Sequence, residues 1–209
     1  MLDFKKQDKA LYPTTTGSSI VDVPAMLFLM VDGMGDPNTS AAYAAAIETL
    51  YGLSYGIKMG NKHVLECVVP PLEGFWCMGS AGIANKDEFA WTAVIRQPDF
   101  VTSEVLQAAQ VSLLKRKKNL EVTSARLEQL TEGLCVQALH IGSYDDELAT
   151  IAAMEQFAAQ HGYEFDLDEA RRHHEIYLSD PRKTAAEKLK TIIRQPIKPQ
   201  LAIGVKIGA

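Results

Sequence analysis

Apolar residues crowd positions 19–31, a run interrupted by Asp22 and Pro24 and too short to span a bilayer. Read as a buried strand, it puts Pro24 at an edge or a bulge, where no ladder donor is needed. Gly33, Gly35, Asp36, Pro37 and Asn38 then predict a turn, and Thr39 or Ser40 stands where a helix over 41–55 needs its cap. Apolar runs at 63–69, 73–78 and 89–96 predict three further strands, and Thr102 with Glu104 opens a helix over 103–117. Two strands follow, at 125–130 and 134–141, and then a helix over 144–160. Asp145, Asp146 and Glu147 fill its first turn, which the helix dipole favours. Leu148, Ile151, Met154 and Phe157, with Ala152 and Ala158 beside them, form a core-facing stripe that ends at Gly162. Strands at 173–178 and 188–194 complete the pattern. This order predicts an α+β fold, with helices on one face of a largely antiparallel sheet.

The pattern occurs twice. Ala93-Val94-Ile95-Arg96-Gln97-Pro98 is echoed by Thr191-Ile192-Ile193-Arg194-Gln195-Pro196, and Gly33-Met34-Gly35-Asp36 by Gly142-Ser143-Tyr144-Asp145. Between these markers each half carries a glutamate among apolar and aromatic residues, Glu73 in Leu72-Glu73-Gly74-Phe75-Trp76 and Glu175 in His174-Glu175-Ile176-Tyr177-Leu178. The spacing predicts two pseudo-symmetric βαββ-type units within one domain over 1–209, with halves at 18–117 and 118–197 and a tail at 198–209. A solenoid would need at least three shorter units.

Composition narrows the functional classes. A formal charge of −5 and one short basic run, Lys115-Arg116-Lys117-Lys118, argue against direct nucleic-acid binding. Cys67, Cys77 and Cys135 make neither an even disulfide framework nor a CxxC pair, so they read as fillers in a reducing compartment. With no signal peptide and no membrane span in the sequence, a cytoplasmic protein is the default.

Among residues that carry chemistry, the two glutamates stand out. Alternation puts His173, Glu175 and Tyr177 on one face of their strand, and Glu73, Phe75 and Cys77 on one face of theirs. If a pseudo-twofold axis relates the halves, Glu73 and Glu175 converge on one cleft. A carboxylate held against aromatic rings is suited to general-base work or to pairing with a cation. Trp76, Phe75, Tyr55, Tyr51, Trp91 and Tyr144 are candidate walls for a flat ligand, and Tyr51 and Tyr55 lie one helical turn apart. His173 and His174 point to opposite faces, so neither a metal site nor a cofactor is expected. His140 reads as structural.

The segments Asp32-Gly33-Met34-Gly35-Asp36-Pro37-Asn38, Leu50-Tyr51-Gly52-Leu53-Ser54-Tyr55, Pro71-Leu72-Glu73-Gly74, His140-Ile141-Gly142-Ser143-Tyr144-Asp145 and 173–182 together resemble the stand-alone GyrI-like small-molecule-binding proteins. The resemblance implies a ligand cleft between two βαββ-type units. It also implies, for the stand-alone branch, hydrolysis of cyclopropane rings in DNA-alkylating compounds. On that basis Glu175 is the expected general base, Glu73 orients water or shares the role, Tyr177 is the hydrogen-bond donor, and Trp76 stacks on the substrate. The alternative is a module that binds or sequesters planar or cationic molecules without chemistry. Only about twenty residues precede the first strand, too few for a helix-turn-helix.

Overall fold

The computed structural model describes residues 1–77 and 89–201. Seven strands, β1 (Ser19–Met34), β2 (Glu73–Cys77), β3 (Ala90–Arg96), β4 (Arg126–Ile141), β5 (Tyr163–Phe165), β6 (His173–Tyr177) and β7 (Lys190–Pro199), form one sheet ordered β4-β1-β3-β2-β6-β7-β5. All pairings between these strands are antiparallel. Because β4 pairs with both β1 and β7, the ladder returns on itself and encloses an inner face. The helices are α1 (Phe4–Gln7), α2 (Ala41–Gly60), α3 (Ser103–Arg116) and α4 (Glu147–Gln160).

Local chemistry sets these limits. The Ser40 hydroxyl accepts from the Tyr43 N–H to start α2, and the Thr102 hydroxyl accepts from the Val105 N–H to start α3. Pro24 lies on the stretch of β1 that pairs with β4 alone, since pairing with β3 begins at Phe28. This is the edge position expected for it.

Three expectations change. Residues 63–69 are not a strand: α2 runs on to Gly60, a turn follows, and only Cys67 makes an isolated bridge, to Leu2. The two strands expected at 125–130 and 134–141 are one, because Gly133 takes a left-handed φ of 67° within the ladder opposite Val23. Leu148 is 55% exposed, and Met154 and Ala158 are the fully buried members of its helix. β5 had no forecast. Met78, expected at the end of β2, lies outside the described residues.

Two layers cover the outer face. Tyr43, Ala46, Leu50, Leu53 and Ile57 of α2 pack on Leu29, Trp91, Ala93 and Ile95, while Met154 and Ala158 of α4 pack on Val136, Ala138 and Ile193. α3 lies against α2, close enough that a Cβ at Gly52 would come within 2.8 Å of Leu113. Between α2 and α4 the β2–β6 pair forms an outer-face floor. The inner face is a separate core of Phe28, Met30, Phe75, Val94, Leu139, Ile176 and Ile192, closed by Phe4, Leu11 and Tyr12 from the N-terminal segment. Cys67 and Cys135 are buried, Cys77 is half-buried, and all three are free thiols.

Candidate functional site

Strand register determines which side chains meet. Glu73 pairs with Ile176, Gly74 with Glu175, Phe75 with His174 and Trp76 with His173. Paired residues share a face, so Glu73 and Phe75 point inward with His174 and Ile176. Trp76, His173, Glu175 and Tyr177 point outward between α2 and α4. The expected convergence of Glu73 and Glu175 does not occur: the sheet separates them. Phe75 likewise leaves the candidate wall, its ring stacked on His174 at 4.1 Å and crossed by Phe28 at 6.1 Å.

The inward set is a buried ionic network. His174, with no exposed surface, hydrogen-bonds Glu73 Oε2 at 2.9 Å and Glu132 Oε2 at 3.0 Å. Arg194, 1% exposed, donates to Glu132 Oε1, Gln137 Oε1 and the Leu11 carbonyl. Burial opposes charge on Glu132, yet His174 and Arg194 beside it prevail and hold its pKa down to about 2. For His174, burial lowers the pKa, but Glu132 and Glu73 outweigh it and raise it. This network locks β2, β4, β6 and β7 together from inside.

The outward set is a second cluster of polar and aromatic side chains, the candidate cleft. Glu175, its side chain 13% exposed, faces His173 Nε2 at 2.9 Å, and His173 Nδ1 meets the Gln195 amide nitrogen at 2.6 Å. An amide nitrogen only donates, so Nδ1 accepts and Nε2–H is left to donate to Glu175. The Trp76 indole N–H donates to the Tyr177 hydroxyl at 3.1 Å, and that hydroxyl is hydrogen-bonded to Glu175. Burial, then the Glu175 charge, raises the Tyr177 pKa well above its usual value. Tyr144, from the turn before α4, sets its ring edge-on to Tyr177 at 5.8 Å, and burial followed by Glu175 pushes its phenol up to about 12. Gly74 makes room beneath: a Cβ there would sit 2.7 Å from Trp76 Nε1 and 3.0 Å from the Tyr177 hydroxyl.

The other sequence candidates lie further out. Trp91, 2% exposed, covers Gly33 and meets Tyr43 edge-on at 4.9 Å, in a layer behind Trp76. Tyr51 hydrogen-bonds the Leu72 backbone and stacks on Tyr55 at 6.4 Å; Tyr55 itself is 53% exposed. His140 bonds Thr150 and the Ser143 carbonyl, which pins the turn carrying Tyr144. A separate groove of about 410 Å3, lined by Thr16, Ser18, His140, Asp146 and Thr150, contains none of the cleft carboxyls.

Three cleft residues escaped the sequence reading. Tyr43 of α2 packs on Trp76 at 5.7 Å, and its hydroxyl is hydrogen-bonded to Tyr177. His173 was placed on the right face without a role. Glu147 is 6% exposed and hydrogen-bonded to Glu175; burial and then that neighbour push its pKa up to about 9. Positions 147, 151, 154 and 158 form the inward stripe of α4, so a shift in helical phase from Leu148 would have revealed it. Glu147, His173 and Glu175 bring their ligand atoms within 4.8 Å of one another.

A glutamate thus lies among phenols and an indole on a sheet floor between two helices of an α+β protein. The chain belongs to the GyrI-like small molecule binding domain family, which it matches over residues 17–198. It is similar to the crystal structure of an uncharacterized conserved protein from Listeria innocua, with 42% identity and a TM-score of 0.91 over 95% of this chain and 100% of that one. It is also similar to a hydrolase from Listeria innocua, with 41% identity and a TM-score of 0.87 over 95% and 100% of the respective chains. The EcmrR C-terminal domain shares the fold at 11% identity and a TM-score of 0.54, covering 88% of this chain and 98% of that one. No functionally curated protein matches. Among the described residues, no helix is long and apolar enough to cross a membrane.

Proposed function

We propose that the cleft binds a planar, largely apolar small molecule and adds water to an electrophilic cyclopropane within it. One observation carries this reading: the Glu175 carboxylate and the Tyr177 hydroxyl, hydrogen-bonded to each other, lie together on an aromatic floor. In the reaction, Glu175 takes a proton from water as the oxygen bonds to a ring carbon. The ring C–C bond breaks, and its electron pair moves into the conjugated dienone. Tyr177 donates a hydrogen bond to the carbonyl oxygen as negative charge grows there and passes on the proton that Glu175 gained, leaving an alcohol and a phenol. Trp76 and Tyr144 wall the slot. Glu73 has no part in this scheme, since it lies across the sheet. The hydrolase likeness is consistent with the scheme. Similar strand pairing in the two halves, β1-β3-β2 and β4-β7-β6, supports reading the fold as an old duplication.

Incubation with a spirocyclopropyl dienone should yield the ring-opened alcohol, and Glu175→Gln should abolish it. No product, or product unchanged by that substitution, refutes the scheme. A second reading is favoured by the meeting of two carboxyls, Glu147 and Glu175: capture of a lipophilic cation without chemistry. Binding that is lost in Glu175→Gln and yields no product would select it.

A further inference from the structure

Glu175 is not the only acid in the cleft. Glu147 opens α4 directly above it, 6% exposed and in contact with Glu175, and its Oε1 is buried with no donor among the described residues. Two buried carboxylates in contact repel each other, and among the described residues few basic groups face them. The groups facing the pair are His173 and Tyr177 on β6, Gln195 on β7, Tyr43 on α2, Tyr144 and Asp145 in the turn before α4, and Asp180 beyond β6. Of these only His173 is basic, and its Nδ1 is engaged by Gln195.

We propose that Glu147 is a positioning residue: as a neutral acid it donates a hydrogen bond to Glu175, so that the pair holds one shared proton and presents a single charge to the ligand. Two features of the geometry fit this arrangement. A buried carboxylate oxygen without a donor is costly, whereas a carboxyl that carries a proton shared with Glu175 escapes the repulsion and part of that cost. Glu175 then receives three donors, His173 Nε2–H, the Tyr177 hydroxyl and the Glu147 acid, which fix its orientation. The raised pKa of Glu147 agrees. In the hydrolytic scheme, the shared proton keeps Glu175 aimed at water while limiting the charge near an electron-rich product. That consequence rests on the proposed function, but the proton itself does not.

The test needs no substrate. In the full chain labelled with 13C at glutamate carboxyls, NMR titration should show one carboxyl titrating near pH 9. The signal should vanish in Glu147→Gln and move down towards the ordinary carboxyl range in Glu175→Gln, which keeps the proposal testable if the first variant folds poorly. No carboxyl titrating above neutrality, or one unmoved by Glu175→Gln, overturns the proposal. So does stoichiometric binding of Zn2+ that requires Glu147, because the three ligand atoms would then be a metal site. If a substrate is turned over, the alkaline fall of kcat should disappear in Glu147→Gln, whose amide still donates; a fall that persists overturns the proposal. A titration as described without turnover of any dienone leaves the shared proton standing and removes only the hydrolytic reading.

Discussion

Replacing Glu132 with glutamine tests whether the inner ionic network holds the sheet closed. The substitution keeps shape but turns one of the two acceptor oxygens into a donor and removes the charge that Arg194 and His174 share, leaving Arg194 beside neutral acceptors at 1% exposure. The folded-state pKa of about 2, against 4.5 for a free glutamate, sets the magnitude. The ionised form adds about 3 kcal/mol of stability at neutral pH by linkage. Breaking one partner out of a buried ion pair costs a similar ~3–5 kcal/mol. The sign follows from the direction of the shift. A depressed acid contributes above its unfolded pKa and loses that contribution as pH falls through the folded value, so the deficit of Glu132→Gln should be full at neutral pH and shrink between about pH 4.5 and pH 2. For a chain this size that deficit lowers Tm by roughly 6–12 °C at neutral pH. Urea unfolding of both proteins at several pH values measures it. A deficit below about 1 kcal/mol at neutral pH, or one that does not change on acidification, would show that the network is not what closes the ladder.

Three further outcomes follow from the outer face. Gly33→Ala places a Cβ 2.2 Å from the Trp91 ring, so it should destabilise by about 1–3 kcal/mol in thermal unfolding, and a change within error would mean that Trp91 can move away freely. Trp76→Phe keeps a ring but deletes the donor to Tyr177; by the worth of one hydrogen bond, affinity for a cleft ligand should fall by about 3- to 10-fold in calorimetry while the fold survives. Glu147→Gln should gain stability relative to the wild type as pH rises. Because the folded pKa is raised, the wild-type acid is most favourable below about pH 4.5 and loses about 1.4 kcal/mol per pH unit up to about pH 9. Parallel denaturant curves at pH values across that window would refute this if the two proteins kept a constant difference.

Much of the scaffold could be read from the sequence because local signals agreed with the fold. Ser40 and Thr102 do cap helices, Pro24 does lie at an edge, and the apolar runs of β1, β3 and β7 are strands. The failures arose where a residue's chemistry was read without its phase. Glu147 looked like a dipole-favoured acid at a helix start, although it occupies the first position of the buried stripe. Glu73 and Glu175 looked equivalent because both are glutamates flanked by aromatics. The ladder instead sets Glu73 opposite Ile176, and a register difference of one residue sends a side chain to the other face. Alternation was right within each strand, but one sequence does not reveal how two strands align.

The echoed Ile-Arg-Gln-Pro segments show why the repetition could indicate the fold and still mislead about the site. Arg96 bonds Asp8 and lies over the Phe4 ring, and Arg194 bonds Glu132; both project to the inner face, where one ties β3 and the other β7 to the rest of the molecule. The echoed segments therefore fall on scaffold, one on β3 and the other on β7. The cleft draws on residues without an echo: β2 contributes Gly74 and Trp76, β6 contributes His173, Glu175 and Tyr177, and only α4 brings an acid down onto the floor. On the proposed function, a ligand in this cleft would meet an aromatic wall on one side and a pair of carboxyls on the other. That proposal predicts that substitutions of the outward residues of β2, β6 and α4 change what is bound, whereas substitutions on the inner face should change stability first.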